Sequence, residues 1–194
     1  MSDNIQELLK DVRNCDICAA HLPMGPRPVV SIHPDATILI AGQAPGVRVH
    51  NTGIPFNDPS GDRLREWMAI DSDTFYDEKE IAIIPMGFCY PGTGKSGDLP
   101  PRKECAEKWR NPLLDILPNI KLTLVIGQYA HAWHLKGRQK KNLTETVKAW
   151  REYEGDGVLP LPHPSPRNNI WLKKNPWFDA EVLPALREKI AAYL

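Results

Sequence analysis

Three groups of residues in this sequence have types and spacing that could do chemistry. Cys15 and Cys18 form a Cys-x-x-Cys pair, and Cys89 and Cys105 are separated by fifteen residues. Four thiols with none left over suggest a site of four thiolate ligands, for zinc or for an iron-sulfur cluster. A redox pair or four plain buried thiols are the alternatives, although no thioredoxin-like context surrounds the Cys-x-x-Cys. The second group is His163-Pro164-Ser165-Pro166-Arg167-Asn168, where two prolines brace the backbone around a histidine. A neutral imidazole there could donate to a carbonyl oxygen that gains charge as a leaving group departs, a contribution of about 3 to 4 kcal/mol. A satisfied structural histidine is the plainer reading.

The third group lies between these. Gly42-Gln43-Ala44-Pro45-Gly46 permits a tight turn whose backbone N–H groups can hold a carbonyl or anionic oxygen. It lacks the lysine of a P-loop and the spacing of a dinucleotide loop, which argues against ATP and NAD. Thr52 to Gly61 is dense in Gly, Pro and Asn, yet carries Phe56 and Asp58. A rigid ring there could stack on a nucleobase, worth about 1 to 3 kcal/mol, or it could plug the core. Asp58 and Asp62 equally suit the first turn of a helix.

Charge balance narrows the partners. The 194 residues carry 24 Lys+Arg against 24 Asp+Glu, which excludes a uniformly basic nucleic-acid binder. Locally the balance tips. From Trp133 to Lys174, Lys136, Arg138, Lys140, Lys141, Lys148, Arg151, Arg167, Lys173 and Lys174 face only Glu145, Glu152, Glu154 and Asp156. That excess surrounds His163 and would suit a phosphate-tracking surface, with Ile170, Trp171 and Trp177 interleaved as candidate wedges. A solvated face is the alternative. No apolar run approaches the roughly 18 residues of a membrane span, and the Met1 to Ile5 start lacks the pattern of a secretory signal. The expectation is a soluble cytoplasmic protein without membrane contact.

The elements that must position these groups follow from periodicity. Ile5, Leu8, Leu9 and Val12 mark an amphipathic helix leading to Cys15. Thr37 to Ala41, Ile81 to Pro85, Leu122 to Ile126 and Gly157 to Leu161 read as core strands. Helices are expected after a Ser60 cap, from Arg102 to Leu117, from Tyr129 to Leu135 and from Ala180 to Leu194. Such alternation predicts an α/β fold in one domain spanning residues 1–194, with a mostly parallel sheet covered by helices on both faces. The turn at Gly42, the segment after Pro85 and the His163 loop each follow a strand, so they should meet at the carboxyl edge.

Taken together, these motifs resemble the uracil-DNA glycosylase superfamily, and within it the iron-sulfur branch of families 4 and 5. Gly42 to Gly46 is similar to the first motif and His163 to Asn168 to the second; Asn57 to Gly61 after Phe56 resembles the family 5 segment with a catalytic aspartate. The resemblance implies a three-layer α/β/α sandwich around a four-stranded parallel sheet. It implies a monofunctional glycosylase, working as a monomer on DNA containing damaged bases, that flips out a deaminated base and hydrolyses its N-glycosidic bond. A catalytically inactive damaged-DNA binder of the same fold is the rival. By motif position, Gly42, Gln43, Ala44, Phe56 and Asn168 would bind the base, and Asp58 and His163 would be catalytic. Ser165, Arg167, Lys173 and Lys174 would contact DNA. Cys15, Cys18, Cys89 and Cys105 would hold a [4Fe-4S] cluster, with zinc or no metal as alternatives. Unlike many relatives, the first motif carries no carboxylate, which shifts the catalytic burden to Asp58 or to His163 alone.

Overall fold

The computed structural model describes residues 3–194; Met1 and Ser2, part of the start read above and of the expected domain, lie outside the described residues. In chain order the elements are α1 (Asp3–Arg13), β1 (Ile38–Ala41), α2 (Val47–Thr52), α3 (Pro59–Met68), α4 (Ser72–Phe75) and β2 (Ile81–Ile83). A small hairpin follows, β3 (Thr93–Gly94) and β4 (Gly97–Asp98), then α5 (Lys103–Cys105) and α6 (Asn111–Asp115). The rest is β5 (Leu122–Ile126), α7 (Gln128–His134), α8 (Leu143–Lys148), β6 (Val158–Leu161), α9 (Asn169–Lys174) and α10 (Leu183–Tyr193).

The four long strands form one sheet in the order β2-β1-β5-β6, every pair parallel. Side chains alternate across a strand, and the alternation divides the core. Ile38, Ile40, Ile81 and Ile83 enter the layer holding Leu64 and Trp67 of α3 and Leu186 and Ile190 of α10. Leu39 and Ala82 face the opposite layer, with Leu9 and Val12 of α1 and Trp109 and Leu113. Helices thus cover both faces, as the alternating pattern predicts.

The structure corrects several boundaries. Pro85 and Gly157 fall outside their strands; Gly157 is a left-handed residue at φ 66°. The helix expected from Arg102 to Leu117 is broken by a π turn over Ala106–Arg110, ahead of Pro112. A proline inside a helix has no N–H and crowds the carbonyl four residues back, so the backbone widens instead. Pro184 does the same to the last helix, which begins at Leu183 after a π turn over Phe178–Val182. Ser60 is not the cap of α3: Asp58 is, its Oδ1 accepting from Gly61 N at 2.8 Å, with Pro59 in the first turn. Pro59 arrives with φ already set, which moves the cap back two residues.

Candidate active site

Four segments converge on a cleft of about 530 Å³ at the carboxyl edge of the sheet. They are the turn after β1, the loop into α3, the β3–β4 hairpin, and the loop after β6. Gly42, Gln43, Ala44, Phe56, Asp58, His163, Ser165, Arg167 and Asn168 all line it. Lys173 and Lys174 do not; they end α9, beyond the loop.

The turn after β1 is positioned by its carbonyls. Met86 N donates to Gly42 O and Gly87 N to Gln43 O, both at 2.9 Å, so the parallel ladder runs past the strand ends. Among the described residues no backbone carbonyl accepts the N–H of Gln43 or Ala44, which leaves two donors at the cleft wall.

Phe56 adopts φ 54°, left-handed for a non-glycine residue and costly by about 1 to 3 kcal/mol. Its surroundings hold it there. A Cβ on Gly61 would lie 1.7 Å from Phe56 O, so only glycine lets α3 pass this close. Arg65 Nη1 donates to the same oxygen at 3.4 Å, and Tyr76 Oη to Pro55 O at 2.9 Å. The ring meets Phe75 edge-on with centroids 6.0 Å apart and presses toward Gly42. Phe56 therefore packs on the core and lines the cleft at once.

His163 is launched by a secured strand end. His131, buried on α7, donates through Nε2 toward Val125 O (3.1 Å) and Leu161 O (3.0 Å), tying the ends of β5 and β6. Burial pushes His131 down to about 4, so this ring is neutral. At His163, Nδ1 accepts from Ser165 N at 3.1 Å. The neutral ring must then carry its proton on Nε2. Burial lowers the His163 value below that of a free histidine, while the charges of Asp58 and Asp98 pull the other way. Asn168 Nδ2 donates to His163 O at 2.7 Å, a staple within the loop, and Ser165 Oγ accepts from Arg167 N. Arg63 of α3 reaches across to Ser165 O (3.1 Å) and Asn169 Oδ1 (2.7 Å). No local pattern marked Arg63, because its role exists only once α3 and the His163 loop are neighbours.

The sequence reading also missed the hairpin, whose Ser96, Gly97, Asp98 and Leu99 line the cleft. Its only signal was the glycine spacing at 92, 94 and 97. Trp171 and Trp177 are not free wedges: they stack edge-on with Phe178 on the core rim, and Trp171 Nε1 donates to Thr144 Oγ1. Ile170 alone of the three is exposed, at 67%. Of the local cations, Arg138, Lys140 and Arg151 pair with Asp156, Glu152 and Glu181. Among the described residues Arg167, Lys173 and Lys174 have no acid partner.

The four cysteines are free thiols, with Cys18, Cys89 and Cys105 buried. Burial raises Cys89 to about 11 and Cys105 to about 12, and Cys15, Cys18 and Cys89 each add to the rise at Cys105. The sulfurs thus share one locale. One donor points at it: Trp109 Nε1 reaches Cys15 Sγ at 3.2 Å. Among the described residues no group of three or more His, Cys, Asp or Glu is arranged to hold a single metal ion.

A doubly covered parallel sheet with a strained aromatic, backbone donors and an Nε2–H imidazole around one cleft defines an α/β protein with a concave site at the carboxyl edge of its sheet. Residues 30–187 match the family described as Uracil DNA glycosylase superfamily, and the chain belongs to it. The fold is that of the family, and glycosylase action on DNA is the family's general activity. Among the described residues no helix is long and apolar enough to cross a membrane.

Proposed function

We propose that this protein is a monofunctional DNA glycosylase that extrudes a deaminated base, uracil or a related lesion, and hydrolyses its N-glycosidic bond as a monomer in the cytoplasm. One observation carries the reading: His163, its Nδ1 held by Ser165 N–H, lines the same cleft as Phe56 and Asp58. Extrusion costs a few kcal/mol, least for a mispaired base. Stacking on Phe56 offsets about 1 to 3 kcal/mol of it. The free N–H groups of Gln43 and Ala44 suit a carbonyl edge, and Asn168, whose Nδ2 donates to His163 O, lines the same cleft. As the C1′–N bond breaks, the base takes the electron pair, and His163 Nε2–H stabilises the charge on its oxygen. Asp58 lies on the sugar side as fixed negative charge for the developing oxocarbenium ion. Ser165, Arg167, Lys173 and Lys174 hold the phosphates on either side.

The four cysteines are read as ligands of a [4Fe-4S] cluster, with zinc or no metal as the alternatives, and Trp109 Nε1–H, 3.2 Å from Cys15 Sγ, would serve a sulfur that carries charge. Such a cluster would tie the segments bearing Cys15, Cys18, Cys89 and Cys105 together, a structural role, and none of the four lines the cleft.

The test is base release. Labelled oligonucleotides with uracil, hypoxanthine, xanthine or thymine opposite each base are incubated with the protein, and abasic sites are cleaved with alkali. Strand scission at one or more lesions is expected. Tight lesion binding without scission would instead favour a damaged-DNA binder, the reading that the acid-free Gln43-Ala44 turn supports.

A further inference from the structure

The turn after β1 has no acid in its sequence, yet a carboxylate stands against it. Asp98, in β4, lines the cleft, and its Oδ2 lies 3.5 Å from the position a Cβ on Gly46 would take. Its other oxygen is held: Thr93 Oγ1 donates to Oδ1 at 3.3 Å, and the Tyr90 hydroxyl bonds Thr93 Oγ1 in turn. The hairpin is fastened to the opposite wall, where Arg167 Nη1 donates to Ser96 O at 3.3 Å. A Cβ on Gly97, at φ 131°, would lie 2.2 Å from that nitrogen, so the guanidinium can lie there only over glycine. Asp58 likewise has one oxygen held, Oδ1 by Gly61 N, but that bond caps α3 and Asp58 is half-buried, whereas Asp98 is exposed.

We propose that Asp98 is the carboxylate that takes the proton of the attacking water, while Asp58 remains a fixed charge and helix cap. The assignment rests on the glycosylase reading above. In the step, the C1′–N bond breaks and its electron pair leaves with the base, held by His163 Nε2–H. The water oxygen forms the new bond to C1′, and its proton passes to Asp98 Oδ2. Asp98 then returns that proton to the base anion, directly or through solvent, which restores the carboxylate. Asp98 is exposed at the cleft mouth and free at Oδ2, so water reaches it without displacing a partner.

Asp98→Asn and Asp98→Glu are compared with the wild type in single-turnover release from the lesion the wild type removes. General-base loss predicts a rate constant down by about 100-fold or more in Asp98→Asn. Asp98→Glu should recover part of the rate. A carboxylate that only props the hairpin would instead lower thermal stability when changed, and Asp98→Asn, which keeps an acceptor for Thr93, would release base at the wild-type rate. A second readout needs no turnover: affinity for duplexes carrying a cationic pyrrolidine or a neutral tetrahydrofuran in place of the sugar. With the charge of Asp58 still in place, Asp98→Asn should lose part of the preference for the pyrrolidine and keep the tetrahydrofuran affinity. A rate within threefold of wild type, or an unchanged cationic preference, overturns the role of Asp98 alone. A wild type that neither releases base nor prefers either duplex over intact DNA overturns the glycosylase reading, and this one with it.

Discussion

The cleft and the thiol locale concentrate polar groups in opposite ways. In the cleft each reactive side chain has one atom pinned and another free: Nδ1 of His163 on Ser165, Oδ1 of Asp58 on Gly61, Oδ1 of Asp98 on Thr93. In the thiol locale the sulfurs mostly face apolar residues and one another, and burial with mutual repulsion raises Cys18, Cys89 and Cys105. The first arrangement presents single atoms to a visitor that comes and goes. The second is stable with four protons in place, or with a resident group that replaces them.

The largest separation between the two regions should come from His163→Ala. It removes the donor proposed for the departing base, so single-turnover release should fall about 100- to 1000-fold. The urea midpoint should stay near that of the wild type; a release rate equal to wild type would move the chemistry off the imidazole.

Cys105→Ser should do the reverse. A buried hydroxyl at this position costs about 1 to 3 kcal/mol, and any visible absorption of a cluster should drop. The fraction that stays folded should still release base at the wild-type rate. Chemical denaturation with parallel spectra decides this, and intact absorption with unchanged stability would leave the thiols unconnected.

Acid should act through a third set of buried groups. His131 is held near 4 and His134 near 3, both by burial, against about 6.5 in the unfolded chain. The unfolded state therefore binds more protons below about pH 6.5, and stability falls from there toward pH 4, by up to about 1.4 kcal/mol per pH unit for each ring. Above pH 7 both rings are neutral in both states and contribute no slope. Urea midpoints at pH 7 and 5 should show the loss, and His131→Gln should flatten it by about one proton.

The smallest effect distinguishes the two functions of Asp58. Asp58→Ala removes the cap and should cost about 0.5 to 2 kcal/mol, while Asp58→Asn keeps an acceptor for Gly61 N and should cost little. Equal destabilisation by both in thermal melts would mean that charge, not the hydrogen bond, holds the helix start.

Much of the sheet was legible because its signal is local. Val-, Ile- and Leu-rich runs ending at Gly or Pro placed all four long strands, and strand ends in a parallel α/β sheet gather at one edge. The Gly42 turn and the His163 loop were legible for the same reason; Phe56 and Asp58 stood out instead as an aromatic and a carboxylate in a stretch dense in Gly, Pro and Asn. Asp58 as cap was visible only as one of two readings, since a residue before Pro59 can serve either end. The short helices α2, α8 and α9 and the breaks before Pro112 and Pro184 were hidden, because none has enough length for periodicity to speak.

What the sequence alone determined is the set of parts: four thiols without a fifth, a turn without an acid, a proline-braced imidazole and the order of strands. Chain neighbours are enough for these, since they rest on backbone propensity and side-chain alternation. Only the tertiary structure decided the long-range partners. Arg63 of α3 holds the His163 loop through Ser165 O, and a hairpin far along the chain brings Asp98 to the turn that lacks a carboxylate. Hydrogen bonds are made at about 3 Å, a distance that chain order does not encode for residues so widely separated.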